Sequence, residues 1–327
     1  MRVVLMSSAG IGRRACEEVL LPSSNLTLAG ILTTAPVLRM SYADAPVQLA
    51  THARFDDIAE RAGCELGELR TPASADAYLS HLDAWRPDLL LALGWYHIVP
   101  RGVRTAAPRG CVGIHGSLLP RYRGGAPIVW AIINGERQTG ATLFYFEDDV
   151  DAGDVIDQRA VAIGADDTCA DVLEGITSVS MAMLGEMLPR IAAGTAPRRP
   201  QDHRLATVMP QRRPDDGQID WSRPADRVHD FVRAQTRPYL GAFTYLDRRR
   251  LRLWSAAPGG TVAGTATGEI VSSDTGAFAV VCGDGRTLIV REASIDDGPA
   301  FTTWSAAERA RVAAGARLGD GAWARST

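Results

Sequence analysis

The feature that most constrains this chain is the alternation, over its first 200 residues, of short apolar runs with stretches of helical spacing. Such alternation predicts βαβ units and a mostly parallel sheet with helices on its faces. Strands are expected over Arg2–Ser7, Leu26–Thr33, Asp88–Leu93, Gly110–His115, Gly140–Phe146 and Val155–Ile163. Helices are expected after Ser7, over Asp56–Ala62 and Ala73–Ala84, from Pro127 to Asn134, and over Thr168–Ala193. In the last of these, Val172, Leu173, Ile176, Val179, Leu184, Leu188 and Ile191 recur at helical spacing. A stretch rich in Pro and Arg follows, and after it a helix over Arg223–Ala234 and five short runs separated by Gly and Asp. Those runs are Gly241–Leu246, Arg250–Ser255, Gly268–Ser272, Ala277–Cys282 and Thr287–Arg291, which suggest a small barrel of the OB type. The expected organisation is therefore an α/β, Rossmann-like domain over 1–193, a linker over 194–212 and an OB-like domain over 213–327.

Composition narrows the chemistry. All 35 basic residues are arginine, which excludes Schiff-base chemistry and a Walker-type lysine. The five cysteines are scattered with no C-x-x-C pair, so no cysteine-based metal site is expected, and a reducing cytoplasm is. No apolar stretch reaches the roughly 18 residues of a membrane helix, and the run at the amino terminus is too short for a signal peptide. From Ala206 onward there are 16 Arg against 14 acids, a net of +2, too slight an excess for a strong nucleic-acid binder.

Two motifs invite functional readings. Gly10-Ile-Gly12-Arg-Arg-Ala15 fits the dinucleotide fingerprint, but the second strand has no acid at its end to hold a ribose. NAD is therefore not expected, and the glycines are read as a tight turn into a helix. His115, at the carboxyl end of a strand, faces a carboxylate candidate in the loop Phe146-Glu-Asp-Asp-Val-Asp-Ala-Gly-Asp154. Such a pair suits general acid–base work, because a carboxylate orients an imidazole and favours its charged form. On spacing alone, a core histidine beside an acidic surface loop is the favoured reading.

The blocks His115-Gly-Ser-Leu-Leu-Pro-Arg-Tyr-Arg, Thr139-Gly-Ala-Thr and Asp151-Ala-Gly-Asp resemble the formyltransferases that use 10-formyltetrahydrofolate. Beyond the linker, Arg213-Pro-Asp-Asp-Gly-Gln-Ile-Asp-Trp221 and Pro238-Tyr-Leu-Gly-Ala-Phe243 resemble the carboxyl-terminal domain of that family. The resemblance implies transfer of a formyl group to an amine, with an Asn-x-His…Asp set serving the oxyanion and the proton. By position the histidine is His115, the aspartate is Asp151, and the asparagine is replaced by Gly113. Ser117 and Tyr96 are then candidates for a replacement donor. The resemblance further implies folate contacts at His97, Ile98 and Val99, with the His97 imidazole turned to solvent, and at Glu147, Asp148, Asp149 and Val150. Arg121 and Arg123 either bind an acidic acceptor or brace their loop through carbonyls.

The segment Ala35–Pro46, basic in relatives that act on tRNA, holds one basic and one acidic residue. A small amine, such as an amino sugar nucleotide or a natural-product intermediate, is thus the expected acceptor. A tRNA acceptor and a folate-binding protein without catalysis are the alternatives. No metal and no membrane are expected.

Overall fold

Apolar runs buried on both faces of a sheet need no alternation, and those of this chain become its central strands. In the computed structural model these are β1 (Arg2–Met6), β2 (Thr27–Thr34), β3 (Glu65–Leu69), β4 (Leu89–Ala92), β5 (Cys111–His115), β6 (Gln138–Tyr145) and β7 (Val155–Ala162). The structure describes residues 1–39, 45–70, 73–273, 277–296, 298 and 311–319. Residues 40–44 of the segment compared with tRNA-acting relatives lie outside them.

The sheet order is β7-β6-β5-β4-β1-β2-β3. From β3 to β5 all neighbours are parallel, whereas β6 and β7 run antiparallel. The expected α/β class with a mostly parallel sheet is what the chain adopts. Strand order reverses at β1 and β4, the place where open α/β sheets leave a crevice beyond the strands' carboxyl ends. Val3 to Met6 and Leu89 to Leu91 are fully buried. At the edge, β3 is half exposed and carries two glutamates, so its five residues give no apolar run.

Helices α1 (Gly10–Ala15, continued to Leu20 as a π-helical turn), α2 (Asp56–Ala62), α3 (Ala75–Trp85) and α4 (Arg101–Arg104) connect these strands. Local chemistry sets their ends. Gly63 closes α2 in the left-handed region, and the Ser74 side chain accepts the Ala77 N–H at the start of α3. At α1, a Cβ on Gly12 would fall 2.0 Å from Ser7 Oγ. Close packing of helix on strand thus accounts for the glycine of the apparent dinucleotide fingerprint.

Two compact units are formed. The first comprises Met1–Pro127, Gln138–Ala162 and Leu173–Gln211; the second comprises Ile128–Arg137, Ile163–Val172 and the chain from Arg212. Helices α5 (Pro127–Ile133) and α6 (Cys169–Ala193) have residues in both.

The second unit carries α7 (Ala225–Gln235) and β8 (Ala242–Leu246), β9 (Arg249–Thr261), β10 (Ile270–Ser273), β11 (Phe278–Val281) and β12 (Arg286–Ile295). These strands form one antiparallel sheet in the order β8-β9-β12-β11-β10. Strand β9 outruns its apolar pattern because irregularities in its pairing with β12 let it bend on through Ala256 and Pro258. The segment 316–319 bonds to both edges: Gly319 donates to Tyr245 O at 2.8 Å, and Leu318 donates to Gly268 O at 2.9 Å. Ala225, Val228 and Val232 of α7 cover a core of Leu251, Leu253, Leu288 and Val290.

Candidate active site

The site is built where β5 ends. Its last residue, His115, is 9% exposed, and both ring nitrogens face oxygen. Nε2 donates to the Tyr122 carbonyl at 2.7 Å. Nδ1 lies 3.6 Å from Asp151 Oδ2. That same carboxylate oxygen accepts the Gly124 N–H at 2.8 Å. Asp151 sits at a φ of 54°, a left-handed conformation that aspartate tolerates better than most residues. The histidine and the aspartate named from sequence are therefore brought together, each tied to the loop that follows β5.

Ser117 is 1% exposed, and its hydroxyl donates to Arg121 O at 2.6 Å, inside that loop. Tyr96 lies 40% exposed, with its hydroxyl 3.2 Å from Thr51 Oγ1. The Ser117 proton is thus spent inside its loop, whereas either hydroxyl of the Tyr96–Thr51 pair can be the donor. Of the two arginines, Arg123 is buried and braces its loop: Nη2 donates to Gln201 Oε1 at 2.7 Å.

Gly113 has a steric explanation. Strand register places it opposite Ala92 of β4 and Phe144 of β6. A Cβ there would fall 2.5 Å and 2.8 Å from two ring atoms of Phe146, and 2.7 Å from the Ala92 carbonyl oxygen. Phe146 stacks on Phe144 at 5.1 Å between centroids. The space at position 113 is thus filled by an aromatic ring. A glycine inside an apolar strand is a sign of such close approach.

The residues expected to meet folate flank this ring in sequence. His97, Ile98 and Val99 follow β4, and Glu147 to Val150 follow β6. Val99 is 4% exposed and packs in the cluster that also takes Trp95 and Phe146, while Ile98 is 75% exposed. Glu147, Asp148, Asp149 and Val150 are all exposed. Arg104 of α4 holds Asp148 at 2.5 Å, fastening this loop.

His97 differs from expectation. Its Nε2 is turned inward, buried without a hydrogen-bond partner, and its ring meets Trp95 edge-on at 5.7 Å. Burial pushes its pKa below the usual 6.5. Arg104 Nε is likewise buried and unpartnered, whereas Trp95 turns toward the buried Tyr78. Sequence reasoning missed Phe146, Arg104 and Gln201. Only Phe146 had a signal, as an aromatic beside a strand that contains a glycine. Among the described residues no group of three or more His, Cys, Asp or Glu is placed to hold a metal.

Residues 35–188 match the formyl transferase family, and residues 212–311 match its C-terminal domain. The methionyl-tRNA formyltransferase of Anaeromyxobacter dehalogenans is 39% identical over 221 residues, 67% of this chain and 70% of that protein. The N-formyltransferase from Helicobacter canadensis, solved with folinic acid and dTDP-3-aminofucose, superposes with a TM-score of 0.64 at 15% identity, covering 88% of this chain and 98% of that one. HypX from Aquifex aeolicus gives 0.60 at 19% identity, over 90% of this chain but 45% of HypX, so this chain spans less than half of that protein.

These matches define a transferase of formyl groups, built on a mostly parallel sheet with a His–Asp pair beyond the end of β5. The chain belongs to the formyl transferase family.

Proposed function

We propose that this protein transfers the formyl group of 10-formyltetrahydrofolate to the amine of a small acceptor, such as an amino sugar nucleotide or a natural-product intermediate. The observation that carries this reading is the His115–Asp151 pair, held at the strand ends by the Tyr122 carbonyl and the Gly124 N–H. Residues 1–193 form the catalytic part of this reading, and 213–327 an OB-like second domain.

The pterin would lie along His97, Ile98 and Val99, with Glu147 to Val150 closing over it. The unpartnered Nε2 of His97 fits a ligand that offers a nitrogen or oxygen partner. Bound there, the folate supplies the formyl carbon. Asp151 receives the proton that the attacking amine gives up, directly or through water, and His115, its Nε2 held by the Tyr122 carbonyl, turns Nδ1 toward that carboxylate and orients it. A new C–N bond forms to the acceptor as the bond to N10 of the folate breaks, and N10 takes up a proton.

A small acceptor is favoured by the arginines of the second unit, most of which are already engaged. Arg249 pairs with Asp296, Arg286 with Asp226, Arg237 with Glu292, and Arg252 donates to Leu240 O. The three paired with carboxylates are partly neutralised and add less to phosphate binding than unpaired arginines would. The 39% identical methionyl-tRNA formyltransferase favours tRNA as the second reading.

The test is single-turnover release of tetrahydrofolate from 10-formyltetrahydrofolate with a panel of amines and with aminoacylated initiator tRNA. Amine-dependent release that Asp151→Ala slows by at least about 100-fold, to a residual but measurable rate, supports the proposal. Release only with tRNA, at an affinity that falls steeply with salt, replaces it with the second reading. Folate binding without release under any condition refutes both.

A further inference from the structure

The stretch 194–212, Pro- and Arg-rich and read from sequence as a linker, lies along the catalytic loops. Val208 and Met209 pair in parallel with Arg123 and Gly124. Thr207 Oγ1 accepts the Tyr122 N–H at 2.8 Å. Arg199 and Val155 exchange two backbone hydrogen bonds.

At the centre of this strap is Gln201, 7% exposed. Its Oε1 accepts from Arg123 at 3.2 Å from Nε and 2.7 Å from Nη2. Its Nε2 donates to Asp151 O at 2.9 Å and to Gly153 O at 2.8 Å. A guanidinium on one side and two carbonyls on the other allow only one orientation of the amide. One side chain therefore joins the loop that carries Gly124 to the turn that carries Asp151, while Gly124 N–H and Asp151 Oδ2 meet directly.

We propose that Gln201 is a positioning residue, which sets the place of the Asp151 carboxylate against His115 by tying the Asp151 and Gly153 carbonyls to Arg123. Asp151 has use for such a tie, because its backbone lies in the sparsely populated left-handed region. Its left-handed backbone is held only if surrounding bonds over-determine it. Gln201 touches no reacting atom and acts through the pair it positions. Its kinetic consequences rest on the formyl-transfer reading above; its geometric ones do not.

The test uses Gln201→Glu, which keeps the length of the side chain and its contact with Arg123 but turns a carboxylate oxygen toward two carbonyls. Gln201→Met, which removes all four bonds, serves as the second variant. A displacement of about 1 Å at a catalytic group costs on the order of 100-fold, so single-turnover release is expected to slow by about 10- to 100-fold. In an Asp151→Asn background the same change is expected to cost less than about 3-fold, because the group it positions is already gone. The imidazole NMR signals of His115, assigned by their absence in His115→Asn, are expected to shift in both Gln201 variants.

An equal loss with and without Asp151, full activity in both variants, or unmoved His115 signals would overturn the proposal. If the wild type transfers no formyl group, the functional reading fails and the His115 signals still decide the role of Gln201.

Discussion

The smallest perturbation that interrogates this site is Gly113→Ala. The added Cβ would stand 2.5 Å and 2.8 Å from ring carbons of Phe146. Carbon atoms in comfortable contact are about 3.5–4.0 Å apart, so the ring must withdraw by roughly 1 Å. It is stacked on Phe144 and packed in the core cluster with Trp95, which limits that movement. The Ala92 carbonyl, 2.7 Å away on the neighbouring strand, resists as well. Overpacking of this kind costs about 1–3 kcal/mol. At about 2–4 °C per kcal/mol for a unit of this size, thermal unfolding should move down by roughly 2–12 °C. The assay is unfolding followed by circular dichroism for the wild type, Gly113→Ala, Phe146→Ala and the double variant. If the ring is the obstacle, the alanine costs at least about 1 kcal/mol less once the ring is removed. A second readout is catalytic. Gly113→Asn alone should release tetrahydrofolate no faster than wild type, since its amide has nowhere to go. Gly113→Asn with Phe146→Ala should exceed Phe146→Ala by about 100-fold, the low end of what an oxyanion donor contributes. The reasoning is refuted if Gly113→Ala is free of cost, or costs the same with and without the ring.

Two further outcomes follow from burial. Burial holds the imidazoles of His97 and His229 below the usual 6.5, with Arg233 adding to the effect at His229. The unfolded chain therefore binds protons near pH 6.5 that the folded one refuses, so these groups subtract stability as pH falls below about 6.5 and nothing above it. Urea midpoints between pH 8 and pH 5 should show a smaller loss on acidification in a His97→Asn, His229→Asn variant than in wild type. Burial also pushes the thiols of Cys16, Cys169 and Cys282 up to about 12, and raises those of Cys64 and Cys111. A disulfide reagent at pH 8 should find at most one fast thiol, on half-buried Cys64, in the native protein and all five after unfolding; two or more fast thiols would show that the core opens.

The strands were legible wherever both faces are buried, since Val3–Met6 and Leu89–Ala92 admit nothing polar. Edge strand β3 was not, because half of Glu65–Leu69 meets solvent and its glutamates read as a surface. The strap 199–209 escaped for a different reason. It is held by backbone pairing, a threonine hydroxyl and one buried amide, none of which leaves a hydrophobic period. His115 and Asp151 were visible as a motif, but β5 and β6 are antiparallel, with His115 beside Thr142 and Tyr145 beside Val112, so their 3.6 Å approach depends on the loop after β6 folding back toward the end of β5, which no residue period announces.

Gly113 is where sequence reasoning went furthest and stopped one step short. Read alone, it is an asparagine lost. Read with strand register, it is one half of an exchange. Gly113 pairs with Phe144, and Phe146 lies two residues further on, on the same face, because alternate residues of a strand share a face. The ring reaches back over the glycine because that position offers no Cβ. A donor amide and an aromatic ring cannot both occupy that volume, so the two positions constrain each other. The Phe146 ring consequently stands as an apolar wall where the asparagine implied by the family resemblance would place a hydrogen-bond donor, and the donor that meets Asp151 most closely is the Gly124 N–H at 2.8 Å. Restoring the amide without removing the ring therefore adds strain before it adds catalysis.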